Sequence, residues 1–248
     1  MRIERQEGVA LIRLESGKVN AIGPEFVEGL SRLLDQLEGA RAAVITGRGT
    51  TFSAGLDLPA LIDLDRTAMR AFIGRFSVVM LRLFELPIPL VAAVNGHAIA
   101  GGCVLALQAD LRLAADKECL LGLNETQLGI GLPPMVVETL RCQVPPQSLA
   151  LLAMQGRLFS PREALQLGLV HELATEEGLL PAALQRAQAL ASLPPEGVRQ
   201  VKAALRRPVA QLVRSMEAEQ SESWLETWLA PEPQSRLRAA VARLTARK

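Results

Sequence analysis

Three short segments of this chain carry residues whose types and spacing could do chemistry together. The run Gly122-Leu123-Asn124-Glu125-Thr126-Gln127-Leu128-Gly129-Ile130 holds one carboxylate, Glu125, among Leu120, Leu121, Leu123, Leu128 and Ile130. An acid in such surroundings is expected to have a raised pKa, suited to both taking and giving a proton. The other two segments are Phe52-Ser53-Ala54-Gly55-Leu56-Asp57-Leu58 and Asn95-Gly96-His97-Ala98-Ile99-Ala100-Gly101-Gly102-Cys103. Each has a glycine-marked turn that can aim a backbone N–H at a ligand. Amides that hold an enolate oxygen, with one acid to move the proton, are the parts needed for proton transfer next to a carbonyl.

Each segment also has a plainer reading. Gly101-Gly102 could open a helix whose first N–H groups face an anion, or could simply let that helix pack closely on a sheet. Asp57 suits a turn or helix cap. Glu125 could be a surface residue or a cap. Ser53 lacks a Gly-x-Ser-x-Gly elbow and a histidine partner, which argues against a serine hydrolase. No Gly-Lys-Ser/Thr follows the glycines, which argues against a nucleotide P-loop. His97 reads as a structural histidine and Cys103 as a small buried apolar residue. Trp224 and Trp228, four apart, form one face of a helix, for core or subunit packing. Arg206-Arg207 and the pair Arg41 and Arg48 read as solvated, with a phosphate contact as the alternative.

The elements that must position these segments alternate. Residues 9–14 form an apolar strand, 16–20 a loop, and 24–38 a helix with Phe26, Val27, Leu30, Leu33, Leu34 and Leu37 on one face. Strands follow at 42–46, 90–94 and 111–114, and helices at 67–86 and 101–109. Ser160, Pro161 and Glu163 mark a helix start. From Pro181 onward the chain is helical, punctuated by Pro194-Pro195, Pro208, Pro231 and Pro233. This is an α/β core followed by a helical tail.

Composition narrows the function. Hydrophobic residues make up 49% and charged residues 21% of the 248, enough for a sizeable core. A net charge of +1 gives no field for nucleic acid. Residues 86–109 contain no charge, but Pro87, Pro89 and Asn95-Gly96 break them into a strand, a turn and a helix, so no membrane span is expected. Three cysteines without framework spacing and a charged N-terminus without a signal region point to a reduced, cytoplasmic compartment. No Cys/His grouping has metal spacing, so no metal is expected.

Taken in this order and spacing, the three segments resemble the crotonase (enoyl-CoA hydratase/isomerase) superfamily. Val19-Asn20-Ala21 near the start, and Ala164 and Gly168-Leu169-Val170 near the end of the match, add to the likeness. The Glu125 run is most similar to mitochondrial-type Δ3,Δ2-enoyl-CoA isomerases (dodecenoyl-CoA isomerase). Val104 stands where hydratases place a first catalytic Glu, so only the second acid position is kept.

The resemblance implies a spiral of ββα units over residues 1–190. Residues 191–248 would then form a C-terminal helical trimerisation region within the same functional unit, giving a homotrimer or hexamer. It further implies an oxyanion hole from the N–H groups of Leu56 and Gly101, and Glu125 as the proton carrier. The acyl-CoA thioester would lie along Lys18, Val19, Ala21, Ala54, Leu56, Asp57, Leu58 and Gly101. No separate cofactor is implied, because coenzyme A is part of the substrate. The implied reaction is the 3-enoyl-CoA to trans-2-enoyl-CoA shift of fatty-acid oxidation. Hydration or decarboxylation of an acyl thioester, with a carrier protein as an alternative thioester, and non-catalytic acyl-CoA binding are the rival outcomes. Pro145-Pro146 departs from the family's glycine-bearing turn.

Overall fold

The computed structural model describes residues 1–246, except the side chains of residues 218–220. Two sheets organise the core. The larger opens with an antiparallel hairpin, β1 (Arg2–Gln6) and β2 (Val9–Arg13). It continues in parallel through β3 (Ala42–Thr46), then a strand at Leu90–Val94, one at Leu111–Ala115 and one at Glu172–Ala174. The smaller sheet has three parallel strands: β4 (Thr51–Ser53), one at His97–Ile99 and one at Leu121–Gly122. In chain order the strands after β4 are β5 (Leu90–Val94), β6 (His97–Ile99), β7 (Leu111–Ala115), β8 (Leu121–Gly122) and β9 (Glu172–Ala174).

Each turn of the fold repeats one plan. A long strand of the large sheet is followed by a short strand of the small sheet and then by a helix. After α1 (Pro24–Leu34), β3 and β4 lead to α2 (Leu58–Leu61) and α3 (Arg66–Phe84). Then β5 and β6 lead to α4 (Gly101–Leu107), while β7 and β8 lead through a 3-10 turn at Glu125–Leu128 to α5 (Pro134–Gln143). This is the expected ββα spiral.

Strands β3 and β5 are apolar apart from Thr46 because both faces are covered. Ala43 and Ile45 of β3, with Ala92 and Val94 of β5, join the main core. Their alternates Ala42, Val44, Val91 and Ala93 join a second apolar layer under Leu179, Ala183 and Ala187. Those last residues belong to α8 (Glu176–Ala191), which follows α6 (Leu149–Met154) and α7 (Pro161–Gln166). The capping box expected at Ser160 is present: its hydroxyl accepts from Glu163 N–H, and Glu163 accepts from Ser160 N–H.

The tail consists of α9 (Pro195–Leu229) and α10 (Pro231–Thr245). It is tied to the sheet by Asp110, which accepts from Lys202 Nζ at 2.6 Å and from Arg206 at 2.9 Å.

Strand β1 and the three short strands were missed, being too brief and mixed in polarity to show a period, and two expectations need correction. Helix α8 starts at Glu176, capped by Thr175, whose hydroxyl accepts from Gly178 N–H, and Pro181 lies inside it. Pro181 and Pro208 are exposed interior residues, so the carbonyl each leaves unpaired can be hydrated and the helix continues. Arg206 is not solvated: it is buried and stacks over Phe84 at 4.3 Å. Of the two readings offered for Trp224 and Trp228, the core one holds: both are buried within one chain, their rings 5.4 Å apart. No helix among the described residues is long and apolar enough to cross a membrane.

Candidate active site

The three chemistry-bearing segments leave the C-terminal ends of β4, β6 and β8, which lie side by side. Parallel pairing therefore delivers them to one edge of the small sheet. The last bonds of the ladder run into the site itself: Ala98 N–H donates to Leu120 O at 3.0 Å, and Ala100 N–H to Gly122 O at 2.8 Å.

The turn after β4 is held by the turn after β2. Ala54 N–H donates to Val19 O at 3.0 Å, Ile22 N–H to Gly55 O at 2.8 Å, and Asp57 N–H to Ile22 O at 3.0 Å. Asn20 is the brace between them. It is 2% exposed, has φ 50, donates to Phe52 O at 3.0 Å and accepts from Ser16 N–H at 2.9 Å. Ser53 donates to Asn20 O at 2.7 Å, so its hydroxyl is structural, in line with the rejection of serine hydrolysis. Gly55 has φ +89, a conformation that favours glycine, and a Cβ there would meet Ile99 O at 2.7 Å.

At the third turn, Ala100 has φ 51 and caps α4 without a side-chain bond. An alanine held there is strained, a condition that clusters at functional sites. It places Gly101 at the first position of α4. The two readings of the paired glycines divide between them. A Cβ on Gly102 would lie 2.1 Å from Ser53 O, so Gly102 is needed for close packing. Gly101 N–H has no acceptor among the described residues, and neither does Leu56 N–H. Two free amides on facing turns can serve an oxyanion.

Glu125 opens the 3-10 turn after β8. Burial pushes its carboxyl up to about 7, against the opposing pull of the backbone N–H groups of Glu125 and Asn124. Its Oε2 is buried without a hydrogen-bond partner. The turn is backed by the tail: Trp224 Nε1–H donates to Gly131 O at 3.0 Å, and Gly131 N–H donates to Thr227 Oγ1 at 3.0 Å. Arg236 of α10 donates to Gln127 O at 3.0 Å. On the other side Gly156 abuts Thr126, where a Cβ would lie 2.4 Å from the hydroxyl.

These walls enclose a cleft of about 540 Å³. Of the residues expected at the site, Glu125, Ala54, Leu56 and Leu58 line it, joined by Ala100. Gly101, which follows Ala100, is not itself a lining residue. Lys18, Val19, Ala21 and Asp57 do not line the cleft either; they belong to the braced turns beside it. Asp57 does cap α2, through its backbone, without a side-chain bond. His97 Nδ1 accepts from Leu120 N–H at 3.2 Å and Cys103 is buried, its thiol pushed up to about 12 chiefly by burial, so both are structural.

Lining residues that sequence reasoning did not place at the site include Asn124, Trp228 and Arg243, the last from the same chain's α10. Asn20 lies in the expected Lys18-to-Ala21 stretch but braces the turns and does not line the cleft. Arg243 carried no signal, since the fold-back of α10 is a tertiary event. Among the described residues no group of three or more His, Cys, Asp or Glu is placed to hold a metal ion.

A family model described as enoyl-CoA hydratase/isomerase matches residues 4–228. The chain belongs to that family. As an enoyl-CoA hydratase/isomerase of the crotonase fold, it has relatives that carry both halves of the family name. It is 34% identical over 218 residues to enoyl-CoA delta isomerase 1, mitochondrial, of Homo sapiens, covering 86% of this chain and 72% of the relative. It is 35% identical over 209 residues to a putative enoyl-CoA hydratase of Thermus thermophilus, covering 82% and 81%. The crystal structure of human mitochondrial Δ3,Δ2-enoyl-CoA isomerase superposes with a TM-score of 0.95 at 30% identity, covering 100% of this chain and 98% of that one.

Proposed function

We propose that this enoyl-CoA hydratase/isomerase shifts the double bond of a 3-enoyl-CoA to give the trans-2-enoyl-CoA. The observation that carries this is Glu125, the one carboxylate among the described residues lining the cleft, half-buried with its Oε2 buried and its carboxyl raised to about 7. Hydration needs one group to activate water and another to protonate carbon. The position of the missing acid is Val104, 1% exposed and part of the core. A double-bond shift needs only one acid that removes a proton and returns it elsewhere.

In this mechanism the thioester oxygen lies between the N–H groups of Leu56 and Gly101. Glu125 takes a proton from C2, and the electron pair of that bond passes into a dienolate. The charge reaches the thioester oxygen, where each donor lowers the barrier by roughly 3–4 kcal/mol. Glu125 then protonates C4 as the double bond moves from C3–C4 to C2–C3. A carboxyl near 7 is matched to both half-steps. Lys18, Val19, Ala21 and Asp57 would meet the coenzyme A portion outside the cleft, mainly through backbone. We extend the proposal to a trimer or hexamer at work in fatty-acid oxidation in the cytoplasm. Light scattering tests the assembly.

The test of the reaction is Glu125→Gln on 3-enoyl-CoA. Gln keeps the shape and cannot accept the proton, so kcat should fall at least about 10²-fold with KM little changed. Activity within about threefold of wild type would end this mechanism.

A further inference from the structure

Asn124 precedes the proton carrier, and its side chain does nothing that its position suggests. It stands at the N-cap of the Glu125–Leu128 turn, where asparagine ordinarily accepts from a backbone N–H, yet it makes no cap hydrogen bond. Its Oδ1 is buried and without a partner, as is Oε2 of Glu125 next to it. Both residues line the same cleft. An unpaired buried acceptor is destabilising, so two on consecutive residues of one cleft call for an explanation. Both are acceptors while Glu125 is charged. One proton would serve both if Oε2–H donated to Oδ1.

We propose that Asn124 is a positioning residue that accepts a hydrogen bond from protonated Glu125, holding the acid between taking the proton from C2 and delivering it to C4. The inference rests on the isomerase proposal above. During the intermediate, Asn124 keeps the carboxyl neutral and the proton away from water.

Other groups near the carboxyl do not duplicate this role. Cys103, on α4, stays a neutral thiol. Arg243 of α10 lines the cleft, Arg236 of α10 is engaged with Gln127 O, and Arg157 beside Gly156 is paired with Glu163. The arginines have no acceptor atom, and a thiol sulfur accepts a hydrogen bond from O–H only weakly.

The test uses 3-enoyl-CoA deuterated at C2, with the deuterium at C4 of the product measured over a range of pH. Asn124→Leu should lower kcat about tenfold with KM little changed. It should at least halve the label carried to C4 and move the acid limb of the rate profile to lower pH. Asn124→Asp, an isostere that still accepts, should keep label transfer and move the limb to higher pH, because a second carboxylate favours the neutral acid. Unchanged transfer and an unchanged limb in Asn124→Leu overturn the proposal. If that variant does not fold, an unshifted or lowered limb in Asn124→Asp overturns it instead. A wild-type enzyme that does not isomerise at all would refute the parent reaction, a result distinct from either of these.

Discussion

Gly55 packs against Gly101 so closely that a Cβ on Gly55 would lie 3.2 Å from the Gly101 nitrogen. The two turns that present the free amides are thus in direct contact, and their separation is set by the absence of one side chain. Gly55→Ala would also have to adopt φ +89 and meet Ile99 O at 2.7 Å. The turn must open, moving Leu56 N–H from its place. The expected result is a loss of kcat of about 10²-fold, the scale of removing one oxyanion donor, with a smaller effect on KM. Steady-state kinetics on 3-enoyl-CoA check this, with a thermal melt to confirm folding.

The burial of Glu125 fixes the sign of the pH dependence. The first half-step needs the carboxylate, so kcat/KM should rise with pH through about 7 and level off above it. A limb at the ordinary carboxylate value would mean that water reaches Glu125 in the working enzyme.

The same shift has a consequence for stability. The folded protein holds the Glu125 proton up to about 7, whereas the unfolded chain releases it near 4.5. Between those values the native state binds more protons, so stability falls as pH rises, and the loss is complete above 7. Glu125→Gln has no such term. It should match wild type below pH 4.5 and exceed it above pH 7, by on the order of 1–3 kcal/mol. Denaturant melts of both proteins at two pH values measure the difference.

Asn20 should matter without touching the reacting atoms. Asn20→Ala removes the bonds to Phe52 O and Ser16 N–H and places a poorer residue at φ 50. A loss of about 1–3 kcal/mol is expected from the buried groups left unpaired. KM should rise, because the braced turn 53–57 supplies the lining residues Ala54 and Leu56. A thermal melt and KM for 3-enoyl-CoA check the two effects separately.

Much of this molecule was legible because its strongest signals are local. The strands Ala42–Thr46 and Leu90–Val94 are short runs, apolar but for Thr46, and α1 carries a clear helical stripe. Glu125 could be singled out because leucines surround it in sequence as well as in space. Trp224 and Trp228 were visible as a pair, but not whether a neighbouring subunit or the chain itself covers them. Stacking and the Trp224 bond to Gly131 O answer that, and both depend on where α9 packs. Asn124 showed no sign of its own, because an asparagine before a turn looks like a cap. Only the buried, unpaired Oδ1 sets it apart.

One cleft acid, with Val104 where a second would stand, is the basis on which we propose an isomerase. The most direct test is the ratio of two rates in unmodified protein: isomerisation of a 3-enoyl-CoA and hydration of the matching trans-2-enoyl-CoA. Isomerisation should be the faster reaction by at least about 10²-fold, the scale of one general acid–base contribution. If hydration is the faster of the two, the argument from the single carboxylate is wrong and Glu125 serves a hydratase.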